Sequence, residues 1–457
     1  MSGYALLIPE FLVLAGAFWA LFADLLPGRD RGAAWAGATF AGAALLVAAL
    51  QPTTMSGPFP EQLAFDGPAR FARIAVLLLS AAWLLWTAGR GTGRLREAVS
   101  LAMFALLGAM LMAGARELVT LLLAIELATM PAYVLIGYRK DNVRGLEGAL
   151  KYFLLSMMTS LVMLYGFSFL YGISGSTKFS ELDLAGSGTL GLLAVLLALA
   201  GLFAKLSAAP FHYWAPDAYE GAEPWTVAFV STVPKIAGAI ATVRLLQAVA
   251  PGMATISMVL AIVAGASMLL GNLGALTQTD VRRMMAYSGV AHSGYLLLGA
   301  VALTGAGYVA AIFYAVAYAI PSLGVMLVVA EEGSAVSDFN GLSSRRPATA
   351  WAVVVMLLSL IGIPPLAGFF GKLFLFQSAL SAGQTALVVL AVVMSVVSAG
   401  YYLRIVRAMF FAQAEPGQAS AVQSRPASIA LAVCVVAVVL VGLLAGPLTD
   451  ALGMLLR

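Results

Sequence analysis

Four lysines stand inside long apolar runs of this chain: Lys151, Lys205, Lys235 and Lys372. The other basic residues fall between the runs, and nearly all are arginine; the sequence holds 19 arginines against six lysines. The division has a chemical sense. An arginine keeps its proton in any protein environment, whereas a buried lysine can lose and regain one near neutrality. Arginine outside and lysine inside is therefore the arrangement expected of a chain that passes protons. The plainer alternative is a lysine that snorkels from a helix end to the interface. It fits Lys151, near the start of its run, better than the other three. Glu126 is the matching acid, alone in the middle of Leu121-Leu-Leu-Ala-Ile-Glu126-Leu-Ala-Thr-Met-Pro131. A carboxylate there is costly unless paired or protonated, and a lysine is its natural partner. The alternative to a working pair is a static ion pair that locks two helices. Glu10 and Asp24 lie nearer the ends of the first run and read as interfacial or packing groups.

Prolines accompany these charges. Pro131 follows Glu126, Pro210 follows Lys205, Pro234 directly precedes Lys235, and Pro364 and Pro365 precede Lys372. A proline removes one backbone donor and frees the carbonyl four residues back. The carbonyls so freed are those of Leu127, Leu206, Val230, Leu360 and Ile361. Broken helices survive in a membrane only where protein or water satisfies such groups, so each break makes room for water beside an ionisable side chain. Packing kinks are the alternative. His292, among Tyr287, Ser288 and Ser293, reads as an auxiliary relay, or else as a satisfied core histidine. His212 precedes the acidic stretch Asp217, Glu220 and Glu223, which is either a proton-gathering entrance or a solvated turn.

The elements that must hold these groups are membrane helices. Of 457 residues, 62% are hydrophobic and 10% charged, with a mean hydropathy of +0.97; soluble domains carry about 25% charged residues. A spanning helix needs about 20 apolar residues. Fourteen spans are expected, at 4–26, 33–50, 70–88, 98–114, 117–138, 146–173, 188–209, 225–249, 254–276, 285–304, 306–330, 350–380, 384–411 and 427–449. The fold class is thus an all-α polytopic membrane protein with spans seven and twelve discontinuous. Numbering the loops alternately puts fifteen basic residues on one side and six on the other. By the positive-inside rule the first side is cytoplasmic and both termini face outward. The net charge of +4 is accordingly a topology signal, with no nucleic-acid partner implied. A single cysteine, Cys434, and two histidines exclude a disulfide framework, an iron–sulfur cluster held by this chain alone, and an obvious haem or zinc site. The cluster Gly89-Arg-Gly91-Thr-Gly93 lacks the third glycine of a dinucleotide fingerprint. No cofactor and no metal are expected on this chain.

An internal echo points to repeats. Ala132-Tyr-Val-Leu-Ile-Gly137 resembles Gly294-Tyr-Leu-Leu-Leu-Gly299, and spans seven and twelve each carry a lysine beside proline. The members of each pair lie five spans apart, and an odd offset inverts a repeat. The expected organisation is one domain over 1–457. Spans at 1–88 are peripheral, two inverted five-helix repeats cover about 98–249 and 254–411, and a last span lies at 427–449.

Together these residues carry a resemblance. The stretch Lys205-Leu-Ser-Ala-Ala-Pro-Phe-His-Tyr-Trp-Ala-Pro-Asp-Ala-Tyr-Glu-Gly-Ala222 is similar to the signature of the proton-translocating membrane subunits of complex I, the respiratory NADH-quinone oxidoreductase. Its His-Tyr-Trp-Ala-Pro-Asp form is most similar to the subunit N branch. Pro9-Glu10, Arg282-Arg-Met-Met-Ala-Tyr-Ser288 and Gly362-Ile-Pro-Pro-Leu-Ala-Gly-Phe-Phe-Gly-Lys372 also resemble that family, which the whole chain follows. One departure is Glu223, set before Pro224 where the family commonly reads Gly-Ala-Pro; it is expected to alter a loop and leave the fold.

The resemblance implies roles. Glu126 and Lys205 resemble the modulating pair, Lys235 the connecting lysine and Lys372 the group facing the exit, with Lys151, His292 and His212 auxiliary. It implies partners as well: neighbouring antiporter-like membrane subunits, the lipid bilayer, and a peripheral NADH-oxidising arm that holds FMN and iron–sulfur clusters and passes electrons to quinone. The implied location is a bacterial inner membrane. Two other readings remain at this point. One is a subunit of a multisubunit cation/proton antiporter or membrane-bound hydrogenase on the same scaffold. The other is a passive scaffold with buried ion pairs.

Overall fold

A computed structural model of the chain describes residues 3–22, 30–52, 57–90, 95–250, 254–414 and 424–455. Asp24, Arg29, Gly91, Gly93, Arg94 and Arg457 lie outside the described residues. The chain is built from helices, and the described residues hold only isolated β-bridges. In order they are α1 (Ile8–Phe22), α2 (Asp30–Leu50), α3 (Gly67–Ala88), α4 (Arg96–Gly114), α5 (Leu118–Ile136), α6 (Val143–Ser174), α7 (Gly188–Leu206), α8 (Trp214–Gly221), α9 (Pro224–Val230) and α10 (Val233–Val249). Then follow α11 (Ala254–Leu276), α12 (Val281–Val301), α13 (Gly305–Glu332), α14 (Leu342–Arg345), α15 (Pro347–Ile361), α16 (Ala367–Ser381), α17 (Thr385–Phe411), α18 (Arg425–Leu443) and α19 (Ala445–Leu455).

Among the described residues, 12 helical segments are long and apolar enough to cross a membrane, α9 and α10 counting as one. Two of the fourteen expected spans take another form. The span expected at 285–304 is α12, which opens on Asp280, Arg282 and Arg283 and carries His292. The span expected at 350–380 is two shorter helices, α15 and α16, parted at Gly362–Leu366. The reason is local. Pro364 and Pro365 cannot donate to a helix ladder, and Gly362 sits at φ +97 as the left-handed cap of α15. The chain breaks in the same manner after α7, where Ser207 takes a left-handed conformation (φ 59) and Pro210 keeps the helix from resuming.

Side chains set the ends of the helices. Asp66 caps α3 through the Ala69 amide (3.0 Å). Asn142 caps α6 through Gly145 (3.1 Å), and Asp280 caps α12 through Arg282 (2.8 Å). Each satisfies an amide that the helix itself leaves open. In the packing, α9–α10 and α13 are enclosed by other helices along their whole apolar length. The peripheral helices α2, α6, α11, α17 and α18 expose rows of apolar side chains, such as Met158, Leu161, Val392 and Val396. This is the ordering expected when lipid is the solvent.

One buried charge departs from the rule of arginine outside. Arg73 is 2% exposed and pairs with Glu10 of α1 at 2.7 Å, with its guanidinium 4.4 Å from the Phe65 ring. Because α3 starts at Gly67, Arg73 falls in its second turn and not in a loop. Glu10 is therefore the buried partner of an arginine rather than an interfacial group. At the opposite end of the bundle, Arg345 and Arg346 clasp Glu331 and Glu332 at 2.5–3.1 Å. The Trp86 indole donates to the same Glu331 at 2.9 Å. The inserted Glu223 stands at the N-cap position of α9, where its side chain makes no capping bond, and it pairs with Arg139 at 3.3 Å. Arg139 also hydrogen-bonds Asp141, and this bond holds the Asp141 carboxyl below its usual range.

Candidate functional site

The site is assembled where broken and unbroken helices meet. Lys205 lies in the last turn of α7, Lys235 in the first turn of α10, and Lys372 in the second turn of α16. All three are buried, at 5%, 5% and 4% exposure. A buried ammonium needs hydrogen-bond acceptors, and each lysine finds them in a different way.

Lys205 donates to Ser156 Oγ of α6 at 2.5 Å and to Thr129 Oγ1 of α5 at 3.5 Å. Glu126, one turn below Thr129 on α5, does not reach the lysine; its Oε1 accepts from Ser160 Oγ at 2.6 Å. Ser156 and Ser160 stand one turn apart on α6, so in place of an acid–lysine contact each charge has its own serine: Ser160 for Glu126 and Ser156 for Lys205. A sequence can identify the two charges. It does not show that two small hydroxyls in an apolar run stand between them.

Lys235 donates to the Gly289 carbonyl of α12 at 3.2 Å, and its ammonium lies 5.4 Å from the centre of the Tyr318 ring of α13. A cation over an aromatic face is attracted by the ring quadrupole. A Cβ at Gly289 would fall 2.7 Å from the Lys235 nitrogen, so any side chain there would push the ammonium from this position. The Ser293 hydroxyl donates to the same Gly289 carbonyl at 2.9 Å. It also donates to the Leu206 carbonyl, one of those expected to be freed by proline. One serine thus joins the backbone beside Lys205 to the carbonyl that holds Lys235.

Lys372 uses the helix break itself. Its ammonium donates to the carbonyls of Leu360 (3.1 Å) and Ile361 (2.8 Å), the two freed by Pro364 and Pro365. The hydroxyl of Ser395 on α17 completes the cage at 2.6 Å. The negative end of the α15 dipole faces the same point.

Between Lys235 and Lys372 stands His292. Its Nδ1 lies 2.7 Å from the Tyr314 hydroxyl and its Nε2 3.2 Å from that of Tyr402. Tyr402 in turn meets Ser288 at 2.5 Å. The His292 ring is 4.6 Å from the Tyr318 ring that underlies Lys235, and 5.8 Å from the Tyr295 ring. The Lys372 ammonium lies 4.9 Å from the centre of that same Tyr295 ring. Tyr295 and Tyr401 both meet Asn272, at 3.5 and 3.2 Å. A neutral imidazole donates at one nitrogen and accepts at the other, and a phenol can do either; the cluster can therefore hand on a proton in both directions. The sequence expectation covers His292, Ser288 and the stretch to Tyr295, but not Tyr314, Tyr318, Tyr401 or Tyr402. Their signal was available: Tyr314 and Tyr318 are one turn apart in an otherwise apolar span.

Two expected members lie elsewhere. Lys151 is not in the interior. Its side chain is 43% exposed and pairs with Glu147 and Asp217, each at 2.7 Å. The third turn of α6 comes up against α8 here, and Arg283 of α12 joins through Asp217 (2.8 Å) and Glu220 (2.7 Å). A cavity of about 180 Å³ lies among Arg144, Glu147, Lys151, Asp217 and Glu220. His212 is buried in the connection between α7 and α8 with its ring against Tyr213; its described contacts include none of the three buried lysines. Among the described residues, no three His, Cys, Asp or Glu side chains gather into a group that could hold a metal ion.

Residues 115–398 match the family described as NADH:quinone oxidoreductase/Mrp antiporter, transmembrane. A curated relative, the NADH-quinone oxidoreductase subunit N of Acidithiobacillus ferrooxidans, is 37% identical over 96% of this chain and 95% of its own. Among solved structures, a chain of respiratory complex I from Thermus thermophilus with bound aureothin is 33% identical, with TM-score 0.83 over 97% of this chain and 99% of that one. A chain of the Mrp complex from Dietzia shares the fold, with TM-score 0.82 at 21% identity over 99% of this chain and 96% of that one.

Proposed function

We propose a route for protons through this chain from the premise that it belongs to the NADH-quinone oxidoreductase subunit N family. It is a proton-translocating membrane subunit of that enzyme, a non-redox part of a translocase that sits among other membrane subunits and a peripheral arm. Likeness to the antiporter chain at 21% identity carries the fold alone. The subunit N relatives match over the whole length, which favours the complex I reading over the antiporter one. In our reading the flavin and iron–sulfur chemistry belongs to partner subunits. The chain lies in a bacterial inner membrane with both termini outward, as the excess of basic residues on one side supports, with Arg73 now removed from the poorer side.

The proton line runs Lys205, Lys235, His292 and Lys372. Lys151, Asp217 and Arg283 form the cytoplasmic rim through which protons approach, and His212 lies in the break between that rim and Lys205. The carrying observation is that each of three buried lysines is held by neutral oxygen atoms, with no carboxylate in contact among the described residues. A lysine so held can release its proton without breaking an ion pair. Glu126 regulates the first step. Moved against Lys205, it would hold the proton; in the present arrangement, with Ser156 and Ser160 between them, the lysine is free to pass it on. At an effective dielectric of about 20, closing such a pair to about 4 Å is worth about 4 kcal/mol. That exceeds the 1.4 kcal/mol that changes occupancy tenfold. A static lock would instead require Glu126 and Lys205 to touch.

The paired lysine sites also support the inverted-repeat organisation. Lys205 and Lys372 each lie beside the break of a span, five spans apart, and an odd offset inverts a repeat. The decisive experiment is Lys205→Ala in the assembled enzyme. NADH oxidation driven through the peripheral arm should persist in part while proton pumping falls to background. Normal pumping in an assembled mutant would sink the proposed line.

A further inference from the structure

The motif that begins at Lys205 contains a tryptophan that the proton line does not use. Trp214 opens α8, is 3% exposed, and reaches back across the break in span seven. Its indole N–H donates to the Ala204 carbonyl at 3.1 Å, and Ala204 directly precedes Lys205. The break makes this bond possible. In a continuing helix the Ala208 amide would serve Ala204; here, past the left-handed Ser207, it turns to Phe203 at 2.8 Å. The Ala204 oxygen keeps only a turn bond from the Ser207 amide at 3.1 Å, which leaves a lone pair for the indole.

The face of the same ring has a second task. It lies flat on Tyr152 of α6, with ring centroids 3.9 Å apart and planes 11° from parallel. Tyr152 stands one turn before Ser156 on α6, and Ser156 is the closest acceptor of Lys205. The Tyr152 ring meets Tyr133 of α5 edge to face at 4.6 Å. The Tyr133 hydroxyl donates to Thr129 Oγ1 at 3.2 Å, and Thr129 is the second acceptor of the lysine. The short helix that presents the tryptophan is itself tight against α6. A Cβ at Gly148 would fall 3.0 Å from Ala218 Cα, and one at Gly221 would fall 2.4 Å from the Arg144 carbonyl oxygen. One side chain thus holds both parts of the Lys205 site. Its edge holds the backbone that carries the lysine. Its face, through Tyr152 and Tyr133, holds the two helices that carry the acceptors.

We infer that Trp214 is a positioning residue for proton transfer at Lys205. It sets how far the ammonium stands from Ser156 and Thr129, and so from Glu126, one turn from Thr129 on α5. It exchanges no proton itself and acts through the end of α7 and through α6. The inference rests on the proton line above.

The test reads acidification of inverted vesicles per NADH oxidised, with NADH–ferricyanide reduction counting the assembled enzyme. Trp214→Phe keeps a ring against Tyr152 and removes the N–H. Its ratio of protons to NADH is expected to fall about fivefold, the net worth of one hydrogen bond, with the amount of enzyme unchanged. Tyr152→Leu keeps the N–H and removes the stack; the ratio should fall here too, and Tyr152→Phe should restore it. Packing alone would lower the amount of enzyme and leave the ratio intact. A normal ratio in assembled Trp214→Phe or Tyr152→Leu enzyme therefore overturns the inference. Should Trp214→Phe not assemble, benzothienylalanine in place of Trp214 decides, since it keeps the indole shape with sulfur where the N–H was; a normal ratio there is equally fatal. Lys205→Ala separates the two readings. If it pumps normally, the proton line itself is wrong. If it fails while the variants at Trp214 pump normally, only the role of the tryptophan is wrong.

Discussion

At the scale of single residues, function depends on how neutral groups are placed around cations. The four lysines and Glu126 were legible in the sequence because an ionisable side chain in an apolar run is conspicuous. Their partners were not, since serine, threonine and tyrosine are common in membrane helices and only packing shows which of them face a charge. Lys151 was misplaced for the same reason: its run was apolar, but the acids that draw it to the rim come from α8 and from its own helix one turn back. Two predictions belong here. Gly289→Ala would place a methyl 2.7 Å from the Lys235 nitrogen and 3.0 Å from the Tyr318 hydroxyl. Displacement of a reacting group by about 1 Å can cost about a hundredfold, so pumping by this variant should fall at least tenfold, measured as acidification of inverted vesicles against NADH oxidation. Ser156→Ala removes the closest acceptor of Lys205. The loss of a hydrogen bond to a buried charge is about 1.5–3 kcal/mol; pumping should fall about tenfold or more, and Ser156→Thr should recover it.

At the scale of elements, the breaks matter more than the spans. The positions of most helices follow from apolar runs, and the breaks in spans seven and twelve follow from prolines. What the sequence left open is which freed carbonyls find work. Those of Leu206, Leu360 and Ile361 hold functional side chains. The division of span eight at Ser231–Thr232 falls beside Pro234, where a break is expected, whereas α5 runs unbroken through Pro131. Replacing both Pro364 and Pro365 by alanine would let α15 run toward α16 and return the two carbonyls to the helix ladder. Lys372 would lose two of its three acceptors, and pumping should be lost in an enzyme that still assembles, as native gel electrophoresis would show. Gly362→Ala should be worse for folding. Its φ of +97 and a Cβ 3.1 Å from Lys372 Cδ add strain of about 1–2 kcal/mol, visible as a lower thermal midpoint of the detergent-solubilised complex.

At the scale of the whole molecule, a neutral network in the middle is framed by ion pairs toward its ends. Glu10–Arg73 ties the first helices to the bundle, and the clasp of Arg345 and Arg346 with Glu331 and Glu332 ties α13 to α14 and α15. Composition announced a membrane protein but not these ties, because each joins residues far apart in the chain or charges that read as loop residues. Glu10→Gln would leave Arg73 buried without its counter-charge. Breaking such a pair costs about 3–5 kcal/mol, so this variant should accumulate poorly and melt early, while any enzyme that does assemble pumps at the normal rate per complex. Replacing both residues by methionine should recover much of the stability. The enclosure of α9–α10 and α13 bears on biogenesis. Neither has a side facing lipid, yet ribosomes deliver both before α15 to α18 exist. During synthesis, then, the tyrosines and histidine of the relay wait beside an unfinished wall. Chains stopped before α15 should be cleared by membrane proteases, whereas chains stopped after α18 should persist.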